Sequence, residues 1–256
     1  MTKKIAIIGE VCTDQYVFGQ CNRVCPEAAA LCFNHNNDTI VNSQGMAGNV
    51  YKNLRSLNTD FKFEISLISP PSQIIKKRFI DSRYNTIIFR EDINDKTERI
   101  DLHNYNFSQY DCIVFSDYCK GFLSESDIID ICKMKAAHCI TFLDSKKILS
   151  RLSEYIDIIK INNHEFKQNI IHLPSITDNT MLIVTEGDNG AKLYNNKNIQ
   201  HYPTEKVLLR DVCGAGDTFL AALVARYLES KNIDNAISFA NLCSSKVVAQ
   251  FGVVSI

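Results

Sequence analysis

Short apolar runs recur along the chain, separated by longer stretches in which apolar residues are spaced as on a helix. Ile5–Ile8, Cys112–Phe115, Cys139–Leu143, Ile156–Ile161 and Met181–Val184 are too short for buried helices and predict strands. Between Asp127 and Lys135, Ile128, Ile129, Ile131 and Cys132 recur at helical spacing and predict a crossover helix. This alternation predicts an α/β fold: a parallel sheet with helices on both faces. The segment from about Arg23 to Val41 differs. It is β-prone, with an Asn/Asp turn at Asn34–Asp38, and with Ile74–Phe89 it predicts a small β-lid, an excursion at roughly 20–42 and 74–90. No internal repeat, low-complexity tract or Pro/Gly/Ser linker interrupts the chain, so one domain over 1–256 is expected.

The last third carries the sharpest local signal. Asp211-Val212-Cys213-Gly214-Ala215-Gly216-Asp217-Thr218-Phe219 runs into Leu220, Leu223, Val224, Tyr227 and Leu228, an amphipathic helix of about three turns. The glycines therefore fall at a helix N-terminus, where the first N–H groups lack intrahelical partners and the macrodipole is positive. Such a turn suits an anion, a phosphate in transfer among them. Asp217 closes it. An Asp in a first helical turn is favoured by the dipole alone, and its other reading is a general base that takes the proton of a poorly nucleophilic hydroxyl.

Composition narrows the classes. Lys+Arg 28 against Asp+Glu 29 leaves no basic surplus for a phosphate backbone or an anionic membrane, so neither nucleic acid nor membrane is an expected partner. No apolar run approaches the roughly 20 residues of a membrane span, and Ile5–Ile8 is too short for a signal-peptide core, which points to a cytoplasmic protein. Ten cysteines are scattered without a C-x-x-C pair, so core packing is expected of them rather than zinc or disulfides. Glycine is scarce, with 10 in 256 residues, yet falls in three pairs: Gly45/Gly48, Gly187/Gly190 and Gly214/Gly216. Turns explain any one pair, whereas three with polar neighbours suggest backbone that approaches a ligand.

The string from Asp211 to Leu223 resembles the C-terminal signature of the ribokinase-like (PfkB) carbohydrate kinases. Further blocks, in family order, resemble the heptose-7-phosphate kinase domain of the bifunctional ADP-heptose biosynthesis enzymes. They are Gly9–Tyr16, Arg23–Ala28, Ser116–Gly121, Asp144–Lys146, Asn162–Phe166 and Thr185–Gly190. The resemblance implies a three-layer αβα fold with a mainly parallel sheet, and ATP- and Mg²⁺-dependent transfer to a sugar hydroxyl. The acceptor it implies is the anomeric hydroxyl of D-glycero-β-D-manno-heptose 7-phosphate, for nucleotide-heptose synthesis.

Carried over residue by residue, it makes Asp217 the catalytic base and Gly214, Ala215 and Gly216 the anion hole. Asn162 and Glu165 would organise Mg²⁺ through its waters, although the same pattern is also that of a turn entering a helix. Thr185, Gly187 and Gly190 would lie along the nucleotide, with Asn241 flanking the adenine or simply solvated. For the sugar, Asp14, in the loop after the first strand, would take hydroxyls, with Asn49, in the loop of the N-terminal glycine motif, beside it. Arg23, Lys76, Arg78, Arg90 and Lys120 are the cations in matching blocks for a sugar phosphate, each otherwise a solvated surface residue. Lid sheets in this superfamily often pair between subunits, so a homodimer through the lid is one arrangement left open.

Three departures bear on the substrate. Met46 and Tyr51 stand where relatives usually have Gly and Ala, bulk that would narrow or reshape the sugar pocket. The chain is short near Ser69–Ser72 and Asn169–Asn179. No nucleotidyltransferase half follows, which implies a monofunctional kinase. Rival ATP sites are missing: there is no G-x-x-x-x-G-K-[ST], no H-R-D loop and no G-x-G-x-x-G after the first strand. A kinase for another sugar and a non-catalytic family member remain as alternatives.

Overall fold

A computed structural model describes residues 2–36, 39–59, 62–196, 198–208 and 212–250. In chain order the elements are β1 (Lys3–Gly9), β2 (Val11–Val24), β3 (Leu31–Asn34), β4 (Ile40–Met46), α1 (Ala47–Leu57), β5 (Phe63–Ile68), β6 (Ile74–Asp81) and β7 (Thr86–Ile93). There follow β8 (Cys112–Asp117), α2 (Glu125–Met134), β9 (Ile140–Ser145), β10 (Ile158–Asn162), α3 (Asn163–Asn169) and α4 (Leu173–Asn179). The last are β11 (Met181–Thr185), β12 (Ala191–Asn195), β13 (Asn198–Tyr202), α5 (Ala215–Ser230) and α6 (Ile233–Val248).

The large sheet runs β13-β12-β11-β10-β9-β8-β1-β5, parallel from β5 to β11, with β12 and β13 added antiparallel. Its inner strands are apolar on both faces because helices cover both. Ile5 and Ile7 of β1 pack with α1, α5 and α6 through Val50, Leu54, Leu220, Leu223 and Ile237. Ala6 and Ile8 point the other way, into a core with Ile128 and Ile131 of α2 and Ile176 of α4. These are the three layers expected. The five sequence-predicted strands are β1, β8, β9, β10 and β11, and the predicted crossover helix is α2, started by a capping box between Ser124 and Asp127.

The second sheet, β3-β2-β6-β7 with β4 on β2, begins directly after β1. Here two expectations are corrected. Asp14 lies in β2 rather than in a loop, and Asn49 lies in α1. In β2 the buried positions Cys12, Asp14 and Tyr16 alternate with half-buried Thr13 and Gln15, and the charge at the centre of that alternation hides the strand from a hydrophobic reading. The cysteines also divide. Cys12, Cys112, Cys132, Cys139 and Cys243 are buried as expected, whereas Cys119 is exposed; all ten are free thiols.

Candidate active site

Polar groups gather at the carboxyl ends of the parallel strands, where open α/β sheets hold ligands. Glu10 follows β1, Tyr118 follows β8, Asp144 is near the end of β9, and Asn162 and Thr185 end β10 and β11. The N-terminus of α5 faces them. Gly214 precedes α5 with φ 79, a left-handed conformation that glycine adopts without strain. Asp211, the first residue of the signature string, lies outside the described residues. Of the expected anion-hole amides, that of Ala215 donates to Val212 O at 3.3 Å, so the cradle at the helix mouth falls to its neighbours.

Two cavities meet at this helix start. One, of about 580 Å³, holds Asp217, Gly214 and Gly216 together with Lys160, Asn162 and Glu165. The other, of about 630 Å³ and richer in apolar wall, holds Ala215, Gly190 and Asn241. Thr185, Gly187, Val212 and Gly216 belong to both walls. The expected phosphate, metal and nucleotide residues are thus brought together.

Asp217 is 4% exposed. Its Oδ1 accepts from the Tyr118 hydroxyl at 2.6 Å and its Oδ2 from Asn49 Nδ2 at 3.0 Å. Burial pushes its pKa up to about 6; the hydrogen bonds from Tyr118 and Asn49 restrain the rise, the Asp144 charge adds to it and Lys160 opposes it. The carboxylate is therefore poised to take a proton near neutral pH. Asn49 proves to be a partner of this carboxylate, and its Oδ1 accepts from Asn53.

Asn162 and Glu165 form the capping box of α3. Asn162 Oδ1 accepts from the N–H groups of His164 and Glu165, and Glu165 Oε2 accepts from Asn162 N. The helix-cap reading of the pattern is therefore the one observed, and the same two residues line the first cavity. Burial, and next to it Asp144, raise the pKa of Glu165 against the cap's hydrogen bond. Two other nucleotide-side expectations are modified. Asn241 is buried rather than solvated, with its amide donated to Tyr202 O at 2.9 Å. Gly190 has φ 85, and a Cβ there would meet Tyr202 O at 2.2 Å, so its size serves the fold.

Of the sugar-side residues, Asp14, Lys76, Arg78 and Arg90 lie on facing strands of the lid, and Lys120 lies in the loop after β8. Asp14 and Arg78 form a buried ion pair at 2.5 Å. Arg90, opposite Arg78 on the neighbouring strand, is held by Asp92, and Lys120 by Asp95. Lys76 stands opposite Asp14, its ammonium 5.4 Å from the centre of the Tyr118 ring. Arg23 is not brought in. It is exposed at the far end of β2, up to roughly 30 Å along the strand from Asp14. Met46 packs with Cys12, Ile74 and Tyr118, beside the lid, with φ 57 and ψ −137. Tyr51 instead packs on the helical core, and neither residue lines the two cavities.

Sequence reasoning assigned no role to Tyr118, Asp144, Lys160 or Glu10. Lys160 is 4% exposed and pairs with Asp144 at 2.6 Å. Its signal was present, a lysine set between Ile159 and Ile161 in an otherwise apolar stretch of strand. Burial alone would lower its pKa, and the Asp144 carboxylate outweighs that. Tyr118 and Asp144 lay inside recognised blocks but carry no local pattern that announces a contact with Asp217.

A sheet of this order, with a β-lid at one end and a glycine-led helix over the strand ends, defines the ribokinase-like kinase fold. Phosphofructokinase-2 from Escherichia coli superposes with a TM-score of 0.72 at 14% identity, covering 99% of this chain and 94% of that one. A ribokinase from Arabidopsis thaliana complexed with ribose and ATP gives 0.71 at 16%, covering 98% and 94%. The pfkB family of carbohydrate kinases matches residues 74–256, and the chain belongs to that family, that of ATP-dependent carbohydrate kinases. It is also 26% identical over 298 residues to the bifunctional protein HldE of a Nitratiruptor species. That match covers 98% of this chain and 63% of the relative, so the chain spans less than two thirds of its length. Among the described residues no helix is long and apolar enough to cross a membrane.

Proposed function

We propose that the chain transfers the γ-phosphoryl group of ATP to a sugar hydroxyl, with heptose 7-phosphate as the acceptor and Asp217 as the base. One observation carries this reading: a buried carboxylate with a pKa near 6 stands at the mouth of a glycine-led helix, where two cavities meet. The acceptor hydroxyl would lose its proton to Asp217 as its oxygen attacks phosphorus. The helix mouth would take charge growing on the transferred group, and Lys160 would add a fixed cation on the same wall.

The oxygens of Glu165 and Asp144 are hard donors that suit a hydrated Mg²⁺, with Asn162 beside them holding the helix cap. The cap takes Glu165 Oε2, leaving Oε1 for a metal-bound water. Mg²⁺ there would neutralise phosphate charge. The second cavity, with Val207, Val212, Phe219 and Val248 in its wall, would take the nucleoside.

A phosphorylated acceptor is favoured over a neutral sugar by the lid. Like charges directly opposite on neighbouring strands destabilise a sheet, yet Arg78 faces Arg90 there. Asp14 and Asp92 hold the two, and a phosphate monoester would be their third counter-anion. The likeness to HldE points the same way. ATP consumption should be measured with heptose 7-phosphate, unphosphorylated heptose, ribose, fructose 6-phosphate and a nucleoside. Preference for the heptose 7-phosphate supports the reading. Preference for another sugar replaces the acceptor, and no turnover together with no ATP binding by calorimetry would favour the non-catalytic alternative.

A further inference from the structure

The Asp217 carboxylate is gripped from both sides, and the grip on Oδ1 comes from a residue that the reaction scheme above does not use. We propose that Tyr118 is a positioning residue for the base: its hydroxyl fixes Oδ1 of Asp217 while the Asn49 amide fixes Oδ2, so the carboxylate meets the acceptor hydroxyl in one orientation. This rests on the reading of Asp217 as the base.

The loop that carries Tyr118 is itself anchored. Glu10, fully buried, accepts from the backbone N–H groups of Tyr118 at 2.9 Å, Lys120 at 2.8 Å and Phe122 at 3.3 Å. Three donors on one buried carboxylate give the turn a single course, which matters because Cys119 within it has φ 57. The ring is held as well. It packs on Cys12, Met46 and Ile74, and the ammonium groups of Lys76 and Lys146 lie 5.4 and 5.1 Å from its centre. Lys76 comes from the lid and Lys146 from the wall of the phosphate cavity. One aromatic side chain thus touches the base, the acceptor side and the phosphate side.

The groups that face Asp217 are Tyr118 from the loop after β8, Asp144 on β9, Lys160 on β10 and Cys12 on β2, with the neutral Asn49 from α1. Of these, Tyr118 and Asn49 hydrogen-bond to the carboxylate and favour its ionised form, while Asp144 disfavours it. Burial and the Asp217 charge hold the Tyr118 phenol well above its usual range, so it remains a donor.

The test reads the base directly. Protein labelled with ¹³C at the aspartate carboxyl carbons is titrated by NMR, and the Asp217 resonance is assigned by its loss in Asp217→Asn. Tyr118→Phe should move the Asp217 midpoint up by about one to two pH units, the effect of one lost hydrogen bond to a charged group. 3-Fluorotyrosine at position 118, a stronger donor of nearly the same shape, should move it down, and it serves should the phenylalanine variant fail to fold. With ATP and heptose 7-phosphate, the acid limb of the rate profile should follow the midpoint. A merely structural role would lower turnover equally at every pH. An unmoved midpoint in both replacements overturns the inference, even when Asp217→Asn is inactive. Near-normal turnover in Asp217→Asn overturns instead the reading of the base.

Discussion

The two halves of the site are built on opposite plans. On the strand-end side, groups from α1, the loop after β8, β9 and β10 converge on one buried carboxylate of α5, and helix starts supply the polarity. On the lid side, each arginine of the facing pair is matched with a carboxylate of its own, Arg78 with Asp14 and Arg90 with Asp92. A phosphoryl transfer needs the first arrangement whatever the sugar. The second has to exchange partners when a substrate arrives, so specificity can change there without disturbing the chemistry. Substitutions should therefore divide into those that stop turnover and leave the fold, and those that unsettle the lid.

The largest effect is expected at Asp217. Asp217→Asn removes the proton acceptor and should lower kcat by about 10²–10⁴-fold, the usual contribution of a general base, with circular dichroism unchanged. Its stability should also depend on pH differently. The folded pKa, about 6, lies above the ordinary 3.8, so burial of Asp217 is tolerated when it is protonated. That tolerance is complete below about pH 4 and is lost as pH rises through 6, an amount of about 3 kcal/mol. Relative to wild type, Asp217→Asn should gain that much between pH 4 and pH 8 in denaturant melts. A constant difference across this range would mean the carboxylate is not desolvated. Activity in the wild type should fall about tenfold for each pH unit below 6.

On the lid, Arg78→Met leaves Asp14 buried without its cation, and breaking such a pair from one side costs about 3–5 kcal/mol. Asp14→Leu combined with Arg78→Met should recover most of that stability, since no charge is then left buried. Urea melts of the two single variants and the double variant measure this. If Arg78→Met alone melts like wild type, the pair is open to solvent and the contrast between the two halves weakens. KM for a phosphorylated acceptor should rise in the single and the double variants alike.

What was legible in the sequence follows the same division. The strand-end side announced itself because its chemistry sits on local patterns: a glycine turn running into a helix, and Asn162-x-x-Glu165, whose spacing is that of a helix cap. The central strands were legible because burial on both faces demands unbroken apolar runs. The lid strand β2 was not, since Asp14 occupies a buried position and its partner Arg78 lies 64 residues away. Contacts such as Tyr118 with Asp217, 99 residues apart, are set by the order of the sheet and leave no periodic trace.

Met46 offers a smaller and sharper test of how the lid joins the sheet. Its φ of 57 with ψ −137 is glycine territory, a strain of about 1–3 kcal/mol for any other residue. Its side chain, 2% exposed, repays that by filling the space between Cys12, Ile74 and Tyr118. Met46→Ala loses the packing and keeps the strain, and should cost about 3 kcal/mol. Met46→Gly loses both and should be the more stable of the two by about 1–2 kcal/mol. The reverse order would place Met46 in an unstrained backbone.

The smallest effect is expected at Arg23. It opens a sequence block that matches the family, but it is exposed at the end of β2, at the irregular register between Cys21 and Arg23. A lid that folded Arg23 onto the sugar would need β2 to bend back along its own length, and its ladders with β4 and β6, which run from Val11 to Gly19, hold that stretch straight. Arg23→Ala should therefore change stability by less than about 0.5 kcal/mol and leave KM for the acceptor unchanged, whereas Arg90→Ala raises it. A rise in KM with Arg23→Ala as large as that with Arg90→Ala would mean that the acceptor reaches the outer lid, through a longer substrate or a second subunit that brings its own Arg23 across.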